Sequence, residues 1–226
     1  MSRFLTALTT LMAMVVFLFS IYALQAEFGA LSLLRVEGSS TVQSLQQPPQ
    51  IPLSIRTQYA VLSACDGLIA SVTVLTKPLA EQKSFLEACA NWADETLRAS
   101  PANAFAATVA AEARGGLGDH DLFDTSLVLS QRLAPNEGWL AALRVAITER
   151  HIGLAESQTL QLEARDIGLL ASSYKGVEAI ARRYVTTPAF RERVTAAVET
   201  LSPDIQRRFV RSIMRAAAIW GYKFDA

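Results

Sequence analysis

Four sets of side chains in this sequence are of types that do chemistry, and their spacing says what each is suited to. Cys65 and Cys89 are the only cysteines, twelve residues on either side of Lys77. There is no Cys-x-x-Cys pair, so thiol exchange lacks its usual motif and a structural bridge is the better reading. Asp119-His120-Asp121 with Asp124 has the residue types of a metal site, yet it falls where a helix is expected to open. The positive end of a helix dipole favours carboxylates there without any ion. His151 follows Arg150 at an expected helix end, the mirror-image case. Arg208, Arg211 and Arg215 share one face of an expected helix, with Ile205, Phe209, Ile213, Ala216 and Trp220 at helical spacing on the other. That basic, amphipathic pattern suits anionic lipid headgroups or an acidic partner surface.

The sequence has no Gly-x-Ser-x-Gly elbow, phosphate-binding Gly-x-x-x-x-Gly-Lys loop, dinucleotide glycine motif or His-Glu-x-x-His pair. Gly115-Gly116-Leu117-Gly118 is glycine-rich, but it lies between expected helices, where a C-cap and tight turn call for glycine. The sequence therefore assigns no catalytic residue, no metal ligand and no cofactor, and the expectation is a protein that is not an enzyme. The competing expectation is a glycan- or peptidoglycan-binding protein or enzyme, with a groove lined by Trp92, Trp139, Tyr174, Tyr184 and carboxylates such as Glu112.

The elements that must position these residues are read from composition and punctuation. Of 226 residues 51% are hydrophobic, 36 are alanine, and only 11 glycines and 8 prolines interrupt the chain, which argues for helix throughout. The 21 basic and 21 acidic side chains cancel, which excludes nucleic-acid binding by bulk charge, and the apolar content excludes a wholly disordered chain. Lys77-Pro78 marks a turn between helical runs over residues 56–75 and 79–99. In an antiparallel hairpin, Cys65 and Cys89 then stand at the same height, and an oxidising compartment favours their disulfide. Closing a loop of that length stabilises by roughly 3 kcal/mol in the chain-entropy account. Gly118-Asp119 opens another helix, and Thr187-Pro188 and Ser202-Pro203 place an N-cap before a first-turn proline, giving helices near 188–201 and 203–220. One or two more lie between His151 and Val185, interrupted near Gly168 or Gly176. The expected fold is all-α, with roughly eight helices beyond residue 55.

Ser100-Pro101-Ala102-Asn103-Ala104-Phe105 and Ala134-Pro135-Asn136-Glu137-Gly138-Trp139 align at an offset of 34, which also pairs Ala107 with Ala141 and Val109 with Leu143. Over about residues 79–150 this resembles a tetratricopeptide repeat, whose helical hairpins bury their apolar faces only by stacking. The resemblance is degenerate: Ala107, Ala110 and Ala111 stand where the family has large aromatic and glycine positions, and Phe123 replaces a small residue. It implies an α-solenoid stack of hairpins presenting a concave surface to another protein.

Residues 4–26 are 23 consecutive residues without a charge. They reach roughly 34 Å as a helix, enough for a hydrocarbon core of about 30 Å. Leu24-Gln25-Ala26 is the best site for signal cleavage, and leucine at its −3 position makes it a poor one. Arg3 before the apolar run puts the N-terminus in the cytoplasm by the positive-inside rule. The expected organisation is a cytoplasmic stub at 1–3, a transmembrane signal anchor at 4–26, a linker at 27–55 containing Pro48, Pro49 and Pro52, and a periplasmic helical-repeat domain at 56–226. Charge divides along the chain: residues 27–164 carry 9 basic and 15 acidic side chains, residues 165–226 carry 11 and 6. The expectation is a scaffold or accessory protein of an envelope assembly (surface polysaccharide, secretion or division), single-pass in a bacterial-type inner membrane. Its partners are the membrane, through residues 4–26, and another envelope protein, with no nucleic acid.

Overall fold

The computed structural model describes residues 2–34, 39–45 and 50–221. All regular structure among them is helical. The first helix, α1 (Ser2–Leu34), runs past the expected anchor, and α2 (Ser39–Leu45) places a second helix in the stretch expected as linker. Met1, Pro48 and Pro49 lie outside the described residues. Contacts divide the chain into two units, Met1–Pro101 and Ala102–Ala226.

In the first unit, α3 (Ile55–Ile69) is opened by Ser54, whose hydroxyl accepts from the Thr57 amide. Its expected continuation breaks at Ala70, because Ser71 caps a fresh single turn, α4 (Val72–Leu75). Pro78 then precedes α5 (Leu79–Ala99), whose bounds are those expected. Val61, Leu62, Ile69, Phe85, Leu86, Trp92 and Ala93 are buried between these helices. From Thr6 to Ser32, α1 is long and apolar enough to cross a membrane, with a mean hydropathy of 2.2, and its aliphatic and aromatic side chains are exposed. Only its end packs on the unit, where Ala26 and Ala30 are buried and Glu27 Oε1 accepts from the Ser54 amide at 2.6 Å.

The second unit comprises α6 (Ala104–Leu117), α7 (His120–Leu133), α8 (Gly138–Arg150), α9 (Ser157–Ser172), α10 (Tyr174–Thr186), a 3-10 turn at Pro188–Phe190, α11 (Arg191–Glu199) and α12 (Pro203–Trp220). Small residues let α6 approach its neighbours closely. Ala106, Ala107, Ala110, Ala111 and Ala113 are fully buried, and the Thr108 and Ser130 hydroxyls meet at 2.7 Å between α6 and α7. Gly118 ends α6 at φ 74°, a left-handed C-cap that glycine adopts without strain. The second half is built on Val145, Ile167, Leu170, Val177, Ile180, Phe190, Val194, Phe209 and Ile213. The break between α9 and α10 falls at Ser173, five residues from one expected glycine and three from the other, and its hydroxyl caps the Gly176 amide at 2.9 Å.

The 34-residue offset recurs in backbone geometry. Helices α6 and α8 start at Ala104 and Gly138, and α5 and α7 end at Ala99 and Leu133. The C-caps Ser100 (φ −138°, ψ 77°) and Ala134 (φ −141°, ψ 67°) share one conformation, and their amides donate to Thr96 O and Ser130 O, again 34 apart. Pro101 and Pro135 therefore stand in matching turns three residues ahead of the next helix. The extended caps follow from the steric effect of proline on the residue before it. The offset ends at Gly168, inside α9.

Candidate functional site

Cys65 on α3 and Cys89 on α5 form the expected disulfide, with Cα atoms 5.9 Å apart. It lies in the first unit's core, where both residues are about 1% exposed, and is a staple rather than a reactive pair.

The carboxylates around His120 close helix ends. Asp119 caps α7, accepting from the Leu122 amide at 3.2 Å, and His120 is exposed. Asp124 is buried and reaches across to α9, accepting from the Glu156 amide at 3.2 Å and from the Thr159 hydroxyl. Glu156, the residue at the N-cap of α9, makes no side-chain cap of its own, so Asp124 supplies it from another helix.

His151 is partly buried at the C-terminus of α8. Its ring packs edge-on against Phe123 at 5.8 Å and over Gly115, where a Cβ would sit 2.4 Å from the imidazole. The buried Glu112 carboxylate faces both it and Arg150: Oε1 is paired with the Arg150 guanidinium and lies 3.8 Å from His151 Nε2. Glu112 Oε2 and His151 Nε2 have no hydrogen-bond partner among the described residues. Burial, and then the Arg150 charge, hold the imidazole below its ordinary pKa of 6.5. Arg150 already neutralises the carboxylate that would otherwise favour a protonated ring.

Sequence reading missed the largest polar feature, the buried pair of Arg144 on α8 and Asp166 on α9. The guanidinium donates through Nε and Nη2 to the two carboxylate oxygens at 2.7 Å each, and also to Ser130 Oγ at 3.3 Å and Ala134 O at 3.4 Å. Burial raises the Asp166 pKa while Arg144 opposes the rise. Glu163 on α9 is similarly buried and pairs with Arg193 on α11 at 3.0 Å through Oε2, leaving Oε1 without a hydrogen-bond partner among the described residues. Burial pushes its pKa up, against the Arg193 charge.

Of the aromatic residues expected to line a glycan groove, Trp92 is in the first unit's core, and Trp139 packs edge-on to Phe105 at 5.1 Å. Tyr184 packs on Phe209 at 5.8 Å, and Tyr174 is exposed at the start of α10. Glu112 is sequestered with Arg150 and His151 rather than presented beside them.

The three arginines of α12 have separate surroundings. Arg208 donates to Ala171 O at 3.0 Å and Ser172 O at 2.7 Å, closing the C-terminus of α9. Arg211 is exposed, and Arg215 donates to Ser212 Oγ at 3.1 Å. Phe209, Ile213 and Ala216 are buried as the periodicity requires, but Trp220 is 58% exposed.

Among the grooves of the described residues, two lie between the helices from α9 to α12. One, of about 710 Å³ between α9 and α11, is lined mainly by apolar residues, among them Leu160, Ala164, Gly168, Ala196 and Leu201. The other, of about 420 Å³ between α10 and α12, carries Lys175, Arg182 and Arg215 beside Ile219 and Trp220. Compared with known proteins, the chain matches no family model, no curated protein and no solved structure.

Proposed function

We propose that this chain is a membrane-anchored helical scaffold that binds another protein of the cell envelope, as an accessory part of a surface-polysaccharide, secretion or division assembly. The partner-binding reading is carried by the apolar groove between α9 and α11, whose Ala164 and Ala196 walls are exposed and which suits an apolar segment laid along two helices. Three further observations support the setting. The exposed apolar surface of α1 needs a hydrocarbon environment. Arg3 preceding it favours a cytoplasmic N-terminus in a bacterial-type inner membrane. A disulfide between Cys65 and Cys89 fits an oxidising periplasm. The repeated turn geometry at Pro101 and Pro135 supports a tetratricopeptide-like stack over that part of the chain.

Crosslinking in native membranes, read by mass spectrometry, tests this. The native chain should capture one envelope protein, and the pair Ala164→Arg and Ala196→Arg should abolish capture without altering helicity. Undiminished capture by that variant overturns the groove as the binding surface. A chain lacking residues 1–26 that fully complements a deletion strain overturns the need for the tether.

A further inference from the structure

The groove between α10 and α12 has a different chemistry from the one just described. Three cations line it, Lys175 and Arg182 from α10 and Arg215 from α12, against the single carboxylate of Glu178. Lys175 and Arg182 make no ion pair or side-chain hydrogen bond among the described residues, whereas Arg144, Arg150, Arg183, Arg193 and Arg207 each hold a carboxylate. Glu178, three residues from Lys175 and four from Arg182, is likewise without an ion pair among the described residues. The groove therefore carries a local excess of positive charge, three cations against one carboxylate, that no ion pair among the described residues satisfies. Its lip is apolar and wet: Ile219 is 79% and Trp220 58% exposed, and Val210 and Met214 on the same helix are also uncovered.

Cations beside an exposed tryptophan and isoleucine match the boundary between lipid headgroups and acyl chains. A soluble phosphate would use the cations and leave the apolar lip uncovered; an anionic phospholipid satisfies both. We infer that the α10–α12 groove binds the headgroup phosphate of an anionic phospholipid, with Lys175, Arg182 and Arg215 on the phosphate and Ile219 and Trp220 in the interfacial layer. The inference rests on α1 lying in a membrane, which holds the second unit at high effective concentration near lipid, and is independent of any protein partner.

The test uses the full chain in proteoliposomes, with Trp139→Phe so that Trp220 is the remaining exposed tryptophan. Lipids brominated on their acyl chains quench a tryptophan that reaches the interface. Quenching should be strong with phosphatidylglycerol present and weak in pure phosphatidylcholine. The variant Lys175→Gln, Arg182→Gln, Arg215→Gln should lower the ratio of lipid-contacting to free Trp220 by on the order of a hundredfold, roughly fivefold per cation. Removing three cations elsewhere, Lys83→Gln, Arg98→Gln and Arg132→Gln, should leave it unchanged. If the groove variant loses helicity, the native chain still decides: raised ionic strength must release Trp220 from anionic lipid. Equal quenching in both lipids, or no loss in the groove variant, overturns the inference. So does release by inorganic phosphate or polyglutamate at matched ionic strength, since either would then be the better ligand. None of these outcomes bears on capture of an envelope protein through the α9–α11 groove.

Discussion

In Met1–Pro101 the two longer helices beyond α1 are joined by a covalent bond, and the ion pairs Lys77–Glu81 and Lys83–Glu87 are surface i, i+4 contacts. In Ala102–Ala226 buried charge joins the helices beside their apolar core: every charged residue buried among the described ones (Glu112, Asp124, Arg144, Glu163 and Asp166) belongs to this unit. The two arrangements respond to different conditions. A disulfide acts largely by restricting the unfolded chain, so it tolerates salt and acid and depends on the redox compartment. Buried ion pairs act in the folded state, and their members are costly to leave alone.

The largest expected effect lies in the ionic unit. Arg144→Ala strands Asp166 in the interior and should cost about 3–5 kcal/mol, the range for breaking a buried pair from one side. Replacing both partners, Arg144→Met with Asp166→Leu, should recover most of that loss. Hydrogen exchange resolved by peptide should place the damage in residues 102–226; equal loss of protection in residues 50–101 would erase the contrast.

Reduction, or the pair Cys65→Ser and Cys89→Ser, comes next, at about 3 kcal/mol. Here protection should fall in α3 and α5 and persist in the second unit. Limited proteolysis that cuts both units equally after reduction would show that the bridge is not the local device described.

Acid gives the smallest effect and sharpens the contrast from the other side. The folded protein holds the His151 pKa below 6.5, so the unfolded chain takes up a proton first as pH falls. Its contribution is fully present above about pH 6.5 and is lost as pH falls toward the lowered value. His151 should therefore pull the melting of the second unit down on mild acidification, against Glu163 and Asp166, whose raised pKa values favour the folded state as pH falls, and His151→Gln should remove that downward pull from the slope. A slope unchanged by the substitution would remove His151 as its origin.

Much of this architecture was legible because local rules set it. The starts of α5 and α12 follow from Pro78 and Pro203, and the disulfide from equal distances to Lys77. The matching turns at Pro101 and Pro135 were visible as an offset, but α6 starts where Asn103 caps the Ala106 amide, and α8 starts at the corresponding place without a side-chain cap from Glu137. The interruption after α9 falls at neither Gly168 nor Gly176, because Ser173 makes the turn by capping the Gly176 amide. Arg144 and Asp166 are 22 residues apart on different helices, and no spacing rule joins them. Trp220 fitted the apolar periodicity of α12 but lies at its last residue, beyond the core that buries Phe209 and Ile213.

Helix α9 is held at one end by Asp124 from α7 and at the other by Arg208 from α12. Each anchor comes from a different helix, so the two ends of α9 depend on separate neighbours: losing α7 bares its first amides, and losing α12 bares its last carbonyls. The two side chains thus act as bookends, and α9 is fixed in place by what stands on either side of it rather than by its own cap residues.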